Sequence, residues 1–167
     1  MIRNATIEDC PRISEIYNEA VRTSTASFAL VEESLADREA WFAQHGPEHP
    51  VFVAEVDGEV AGWASISRYQ LRGGYRFTVE SSIYIASAYH RRGIGLALME
   101  RVLYIARDLG YHSIIAGITA EQNASVGLHE RLGFTKVAHF REVGFKFDRW
   151  LDVVQYQLML DHGNDQA

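Results

Sequence analysis

The sequence predicts a single α/β domain whose sheet is mixed rather than uniformly parallel. Runs rich in β-branched and aromatic residues alternate with helical periodicities, yet three such runs follow one another in the middle of the chain without an intervening helix. The chain has 167 residues, 47% hydrophobic and 23% charged, which suits one soluble domain with a sizeable core. No repeat or linker divides it, so we predict one domain over residues 1–160 and a polar tail over residues 161–167.

The predicted elements follow one another without long gaps. In chain order they are a strand over 2–5, a helix over 6–22, a second helix from Ser34 to Gly46, hairpin strands over 51–56 and 59–66, a central strand over 77–85, a helix over 93–109, a strand over 112–119, a helix over 124–132, and strands over 134–138 and 152–160.

Helices are predicted where apolar residues recur every three or four positions after a polar residue that can cap the first turn. Thr6 with Asp9, and Ser34 with Asp37, have the spacing of capping boxes. The third helix has the clearest apolar stripe, formed by Ile94, Leu98, Val102, Ile105 and Leu109. Gly110 follows that stripe in the position where helices commonly end.

Strands are predicted where β-branched and aromatic residues cluster between turn signals. Asp57 and Gly58 separate two such runs, which is typical of a two-residue hairpin turn. The run over 77–85 is long and rich in these residues, so we expect it in the middle of the sheet.

Charge and composition argue against several classes of protein. The net charge of −6 disfavours a nucleic-acid surface, because phosphate backbones require a dense basic stripe. No window approaches the roughly 18 apolar residues of a membrane helix, and the N-terminus lacks the pattern of a signal peptide. The single cysteine, Cys10, fits a reducing compartment. We therefore predict a cytoplasmic protein without nucleic-acid or membrane partners.

His45 and His49 flank a turn and are interpreted as surface residues, so no metal is predicted.

A glycine-bearing loop joins the central strand to the third helix. Gly93 and Gly95 at the start of a helix let main-chain N–H groups approach an anion, which the helix N-terminus also favours. A dinucleotide-binding fingerprint would need a glycine where Leu98 stands, and an ATP-binding loop would need lysine where Leu96 follows Gly95. The loop is either a phosphate cradle of another kind or only a sharp turn.

Several segments in order resemble one enzyme family. His90–Gly95, Glu121–Ser125 and Leu128–Phe134 look like the acetyl-CoA-binding core of the GNAT superfamily of N-acetyltransferases. Residues 24–28, 78–85 and 144–153 resemble the phosphinothricin N-acetyltransferase group within it. The resemblance implies a mostly antiparallel central sheet flanked by helices, acetyl-CoA as co-substrate, and a small amino-acid-like amine of the phosphinothricin, methionine sulfoximine or methionine sulfone type as acceptor. It also implies a homodimer, with residues 144–152 helping to line the site.

The same resemblance implies a set of cofactor-binding residues. Main-chain groups near the end of the central strand would pair with the pantetheine arm, the glycine loop would hold the pyrophosphate, and a polar residue before the fourth helix would add a contact. These residues are Ile83, Tyr84, Ile85, Arg91, Arg92, Gly93, Ile94, Gly95, Leu96 and Asn123. The superfamily usually has Gln or Arg three residues before the first glycine, where this chain has His90.

Two residues are catalytic candidates. Glu80 stands mid-strand among apolar neighbours, where the phosphinothricin group places a general base; the alternative is an ordinary solvent-facing residue. His129 stands where many superfamily members carry a tyrosine that protonates the CoA sulfur, and it could be an acid, a base or a structural residue. A main-chain N–H near Ile85 is expected to stabilise the oxyanion. Cys10 has no activating histidine nearby in the sequence, so direct transfer is favoured over an acyl-enzyme.

The predicted substrate site begins with a loop arginine that resembles one in the phosphinothricin group. A guanidinium can bind a carboxylate or phosphinate in bidentate geometry, although a loop arginine can also be merely solvated. The predicted substrate-binding residues are Arg72, Gly73, Gly74, Tyr75 and Phe28. Two other functions stay open: a catalytically silent CoA-binding or sensing module, and an acetyltransferase for peptide N-termini or polyamines. A polyamine site would require several acids, whereas this loop offers Arg72 and Arg76.

Overall fold

The computed structural model describes residues 1–161, which form seven strands and four helices. All of the predicted tail except residue 161 lies outside the described residues. The elements are β1 (Ile2–Asn4), α1 (Cys10–Thr23), α2 (Leu35–Ala43), β2 (Val51–Val56), β3 (Glu59–Arg68), β4 (Thr78–Ile85), α3 (Ile94–Asp108), β5 (Ser113–Thr119), α4 (Asn123–Arg131), β6 (Thr135–Lys146) and β7 (Arg149–Met159).

The strands form one sheet in the order β1-β2-β3-β4-β5-β7-β6. Every neighbouring pair is antiparallel except β4 and β5, which run parallel. The predicted mixed, mostly antiparallel sheet is therefore confirmed, and β4 lies at its centre as expected.

Local signals in the sequence fix several boundaries. Asp57 and Gly58 both have positive φ, 51° and 83°, so the β2–β3 turn twists in the sense that suits a hairpin. The Ser34 main-chain N–H donates to the Asp37 carboxylate at 2.9 Å, and the Asp37 N–H donates to Ser34 Oγ at 3.1 Å. This capping box begins α2 at Leu35, where the sequence predicts it.

The two faces of the sheet are covered by different helices. Leu98, Met99 and Val102 of α3 pack in one core with Val79 of β4. On the other face, Ile13 and Ile16 of α1 pack with Trp63 of β3, and the α2 residues Trp41 and Phe42 lie against them. Because side chains alternate along β4, Val79, Ile83 and Ile85 point toward α3, whereas Glu80 and Tyr84 point toward α1 and α2.

The last two strands are longer than predicted. The sequence predicts strands over 134–138 and 152–160, whereas β6 covers Thr135–Lys146 and β7 covers Arg149–Met159. Most β6 side chains are exposed, and the register shifts twice, between Lys136 and Ala138 and between Phe140 and Gly144. These irregularities break the alternation of apolar and polar residues that marks a strand in a sequence.

No helix within residues 1–161 has both the length and the apolar character needed to cross a membrane.

Candidate functional site

The sheet divides where β4 and β5 stop pairing. The parallel ladder between them has three pairs and ends at Glu80 and Ile115, although β4 stays paired with β3, and β5 with β7, to their ends. Residues 82–85 and 116–119 therefore face each other without hydrogen bonds between them. A cavity of about 850 Å³ opens between these edges and extends toward α1, α3 and α4.

The β4 edge of this gap presents unpaired main-chain groups. The Ala86 N–H donates to the Ala61 carbonyl of β3 at 2.9 Å, and main-chain directions alternate along a strand. The N–H and C=O groups of Ser81, Ile83 and Ile85 therefore point toward β5. The Ser81 N–H is used in the last pair of the ladder and the Ile85 carbonyl accepts from His90, which leaves both main-chain groups of Ile83 and the Ile85 N–H unpaired in the gap. An extended ligand can pair with such an edge as an added strand would. By the same alternation the main-chain groups of Tyr84 face β3.

The loop after β4 exposes the N-terminus of α3 to the same cavity. Arg91 and Gly93 have positive φ, 60° and 77°, and the first turn of α3 begins directly after Gly93. A Cβ at Gly95 would lie 3.3 Å from Leu128 of α4, so the glycine lets the two helices approach. Unpaired N–H groups and the positive end of the helix dipole make this loop suitable for an anion such as a pyrophosphate.

Two side chains of this loop are held by nearby groups. His90 Nε2 lies 3.0 Å from the Ile85 carbonyl, and a carbonyl can only accept, so the imidazole donates. The Arg92 guanidinium lies over the Tyr89 ring, 5.2 Å from its centroid. Arg91 lines the cavity, whereas Arg92 does not.

Glu80 lies at the point where the two strands separate, and its side chain lines the cavity. The carboxylate is half-buried and forms no hydrogen bond with any residue in the range 1–161. Burial raises the pKa of Glu80 above its ordinary value, because the charged form is less well solvated. A carboxylate with a raised pKa is a better proton acceptor, which suits a general base.

His129 of α4 lines the same cavity and is 2% exposed. Its Nδ1 lies 2.8 Å from the Ser125 carbonyl, so Nδ1 carries the hydrogen and Nε2 keeps its lone pair in the neutral ring. Burial lowers the pKa of His129, although the bond to Ser125 acts in the opposite direction. Near neutral pH this imidazole can accept a proton at Nε2 but has none to give from that atom.

Most of the predicted catalytic and cofactor-binding residues line the cavity. Those that line it are Glu80, Ile83, Tyr84, Ile85, Arg91, Gly93, Ile94, Gly95, Leu96 and His129. Asn123 is the first residue of α4 but does not line the cavity, whereas its neighbour Gln122 does.

None of the predicted substrate-binding residues lines the cavity. Arg72 is exposed and precedes a single 3₁₀ turn over Gly73–Tyr75. Tyr75 packs edge-on against Tyr69, with ring centroids 5.7 Å apart. Phe28 is half-buried, and its ring lies so close to Gly144 of β6 that a Cβ there would overlap it.

Sequence reasoning missed the polar residues that join the loop after α1 to β5 and α4. Thr119 Oγ1 donates to the Thr25 carbonyl at 2.6 Å, and Gln122 Nε2 donates to Thr25 Oγ1 at 2.9 Å. Thr25 Oγ1 donates in turn to Glu121 at 2.6 Å, and Arg149 holds Glu121 through two bonds of 2.5 and 2.7 Å. The one available signal was Thr119 itself, a polar residue at the end of a strand whose interior, residues 114–118, has no polar side chain.

Metal ligands do not cluster in the part of the chain that the structure describes: residues 1–161 contain no group of three or more His, Cys, Asp or Glu side chains placed to hold an ion. His45 is hydrogen-bonded to the Trp41 carbonyl at 2.9 Å and to Ser67 Oγ at 3.0 Å.

Comparison with known proteins gives consistent matches. Residues 12–134 match the family described as "Acetyltransferase (GNAT) family". The L-methionine sulfoximine/L-methionine sulfone acetyltransferase of Salmonella typhimurium is 41% identical over 96% of this chain and 94% of its own length. The phosphinothricin N-acetyltransferase of Alcaligenes faecalis is 36% identical over 98% of this chain and 84% of its own. The Salmonella typhimurium protein yncA, solved with its cofactor acetyl-CoA, has a TM-score of 0.93 and 40% identity over 98% of this chain and 95% of that chain.

Proposed function

This chain belongs to the GNAT family of acetyltransferases and is an acetyl-CoA-dependent N-acetyltransferase, and we propose that it acetylates the α-amine of a small amino-acid-like molecule. The acceptor has a substituted side chain of the phosphinothricin, methionine sulfoximine or methionine sulfone type, as the names of its relatives suggest. The observation that carries the proposal is the carboxylate of Glu80, half-buried and without a protein partner within residues 1–161, at the point where β4 and β5 separate.

Acetyl-CoA fits the gap and the glycine loop. The unpaired main-chain groups of Ile83 and the N–H of Ile85 can hold an extended pantetheine arm, and the segment Arg91–Leu96 can hold the phosphates at the start of α3. The co-substrate supplies an activated acetyl thioester. Arg92 and Asn123, which do not line the cavity, stay predicted cofactor contacts.

Glu80 prepares the acceptor amine in this mechanism. The substrate enters as an ammonium ion, and Glu80 removes one proton, directly or through a water, so that a nitrogen lone pair becomes available. Transfer is direct, because the one candidate for an acyl-enzyme, Cys10, is fully buried and burial raises the pKa of its thiol. His129 Nε2 is a second proton acceptor on the cavity wall.

The oxyanion donor is better assigned to the start of the gap than to its end. Ile85 lies five residues beyond Glu80, which is about 16 Å along an extended strand. The Ser81 N–H is used in the last pair of the ladder, where it donates to the Ile115 carbonyl, so the unpaired gap-facing N–H closest to Glu80 is that of Ile83. We therefore assign the predicted donor near Ile85 to the N–H of Ile83, which would stabilise negative charge developing on the acetyl oxygen.

A homodimer and a cytoplasmic location belong to the same proposal. Large apolar side chains are exposed along β6 and β7, and the five in the hairpin region are Phe140, Val143, Phe145, Phe147 and Trp150, each 46–62% exposed. Such a patch is more typical of a protein interface than of free surface. The location rests on the single, buried cysteine.

Thiol release from acetyl-CoA by the purified protein tests the proposal. We expect release with phosphinothricin, methionine sulfoximine or methionine sulfone, and little with ordinary amino acids or spermidine. Release with spermidine or a peptide N-terminus alone would favour a different acetyltransferase. Tight acetyl-CoA binding by calorimetry without release on any amine would favour a silent CoA-binding module.

A further inference from the structure

Gly117 lies in the interior of β5, where the backbone does not require a glycine. The pairing of β5 with β7 runs from Ser113 to Thr119 without a register shift, so the strand has no bulge at this point. Gly117 is not among the residues with positive φ, so an ordinary side chain suits its backbone conformation. Glycine weakens a strand, because it has no side chain to pack and loses more conformational freedom on folding. Its presence here therefore needs another reason.

The glycines of the other strands are explained by their neighbours, whereas Gly117 is not. A Cβ at Gly62 of β3 would lie 2.5 Å from Ile85 Cδ1, and a Cβ at Gly144 of β6 would overlap the Phe28 ring. A Cβ at Gly117 would have no heavy atom within 4 Å beyond those of its chain neighbours. No group in the described part of the chain fills the space in front of Gly117. A glycine of this kind often marks a place where a ligand approaches the backbone closely.

The space in front of Gly117 belongs to the cavity that contains Glu80. Gly117 lines this cavity and is the exposed residue of a strand whose other residues are buried. Ala116 and Ile118 pack in the core beneath α3, so the alternation of the strand turns Gly117 to the opposite face. This is the face to which the Glu80 side chain points. The open space and the proposed base therefore lie on the same side of the sheet.

The positions along the strands place this space within reach of the acceptor. Glu80 pairs with Ile115, and Gly117 is two residues further on, about 7 Å along β5. In extended methionine sulfone the sulfur lies about 5 Å from the amine nitrogen at ordinary bond lengths. The pantetheine arm is expected to pair with main-chain groups such as those of Ile83, which lie in the plane of the sheet rather than above its face. An acceptor whose amine faces Glu80 can thus extend its side chain over Gly117.

We propose that Gly117 determines which acceptors the enzyme accepts, because its missing side chain leaves room for the substituted side chain of the amino-acid-like amine. The inference rests on the proposed function and names the residue that limits the length of the same substrate. A methyl group at position 117 would occupy the space otherwise available to the sulfonyl or phosphinyl end of the acceptor. A shorter acceptor would end before it reaches this methyl group.

Two acceptors that differ by one methylene group test this role. S-Methyl-L-cysteine sulfone has the same sulfonyl group as L-methionine sulfone on a shorter side chain, and it can be measured as a substrate or as a competitive inhibitor. Gly117→Ala should lower kcat/KM for methionine sulfone by about tenfold or more, since one methylene in a fitted pocket changes selectivity by roughly 10–200-fold. The kcat/KM or Ki of the shorter acceptor should change far less, and the Kd for acetyl-CoA should stay the same.

The matched control is Gly46→Ala. A Cβ at Gly46 also has no heavy atom within 4 Å, and Gly46 lies outside the cavity, in the turn after α2. This variant should keep the wild-type preference between the two acceptors. Gly117→Val, with a larger side chain, should deepen the loss on methionine sulfone beyond that of Gly117→Ala. Urea unfolding should show that Gly117→Ala is at least as stable as wild type, because the added methyl group meets no atom of the described chain.

The outcomes separate acceptor recognition from other roles of the glycine. An equal loss on both acceptors, weaker binding of acetyl-CoA, or a clear loss of stability in Gly117→Ala would each overturn the inference. An unchanged preference in both Gly117 variants would overturn it as well, and would leave the proposed function intact. Wild-type protein that acetylates neither methionine sulfone nor phosphinothricin nor methionine sulfoximine would overturn the proposed function itself.

Discussion

Glu80 of β4 lies directly opposite Ile115 of β5 in the last pair of the parallel ladder. Beyond this pair β4 and β5 no longer pair with each other, although each stays paired with its other neighbour, and the gap between them becomes the cavity. The main chain of Glu80 is therefore held by its pairing with the neighbouring strands, while its carboxylate faces the cavity. This relation explains how an ionisable residue can be precisely held yet lack a hydrogen-bond partner within residues 1–161.

The pH dependence of kcat/KM should show an acid limb from Glu80. Burial raises the pKa of this carboxyl above its ordinary value of 4.5, and only the ionised form can accept a proton. Activity should fall as pH decreases through that raised pKa and should be restored above it. The measurement is kcat/KM for the amine from neutral pH downward, with acetyl-CoA binding followed over the same range. A kcat/KM that stays constant down to pH 4.5 would contradict this role.

Protein stability should decrease in mild acid because of His129. Its pKa is lowered in the folded state by burial, so below about pH 6.5 the unfolded chain binds a proton that the folded chain resists. The free energy of unfolding should therefore be highest above this range and decline as pH falls toward the folded-state pKa. Urea unfolding at several pH values measures it, and His129→Asn should flatten the slope. His45 and His49 also have lowered pKa values, so the variant, rather than wild type alone, isolates His129. An identical slope in both proteins would contradict the prediction.

The Phe28 ring is expected to leave room only for glycine at position 144. A Cβ at position 144 would overlap this ring, with Phe28 Cδ2 at 2.7 Å, so Gly144→Ala should destabilise the fold by about 1–3 kcal/mol through overpacking. Phe28→Ala removes the obstacle, and the two changes should be non-additive in a double-mutant cycle. Additive losses in thermal or urea unfolding would show that the ring does not limit position 144.

Arg72 remains a predicted substrate residue although it is exposed and outside the cavity. If its guanidinium binds an acidic group, Arg72→Ala should raise the KM for acidic amino-acid analogues by about tenfold, with little change in kcat. Arg76, which donates to the Gly73 carbonyl at 3.1 Å, is the nearby control. An unchanged KM after the Arg72 substitution would identify Arg72 as a solvated loop residue.

The sequence predicts well those features that depend on neighbouring residues. The Asp57–Gly58 turn and the Ser34 capping box need only contacts within a few positions, and the structure confirms both. The glycine loop before α3 is also local, which is why Arg91 and Gly93–Leu96 could be named in advance as one segment.

Features that depend on residues far apart in the chain were harder to predict from the sequence. The point where β4 and β5 separate depends on the relative course of two strands that are not adjacent in the sequence, which no local pattern encodes. The contact between Lys146 and the Ser24 carbonyl spans 122 positions, so the loop after α1 could be recognised as part of the resemblance but not placed. Gln122 rather than Asn123 faces the cavity because a difference of one residue at the start of α4 changes the direction of the side chain.

The most direct test of the central claim is the turnover number of Glu80→Gln with saturating acetyl-CoA and L-methionine sulfone. Glutamine preserves the shape of the side chain but cannot accept the proton of the ammonium group. The account predicts a loss of about 10²-fold or more, as is typical when a general base is removed, with the Kd for acetyl-CoA nearly unchanged. Turnover equal to that of wild type would remove Glu80 from the mechanism. It would also contradict the assignment of the catalytic site to the point where β4 and β5 separate.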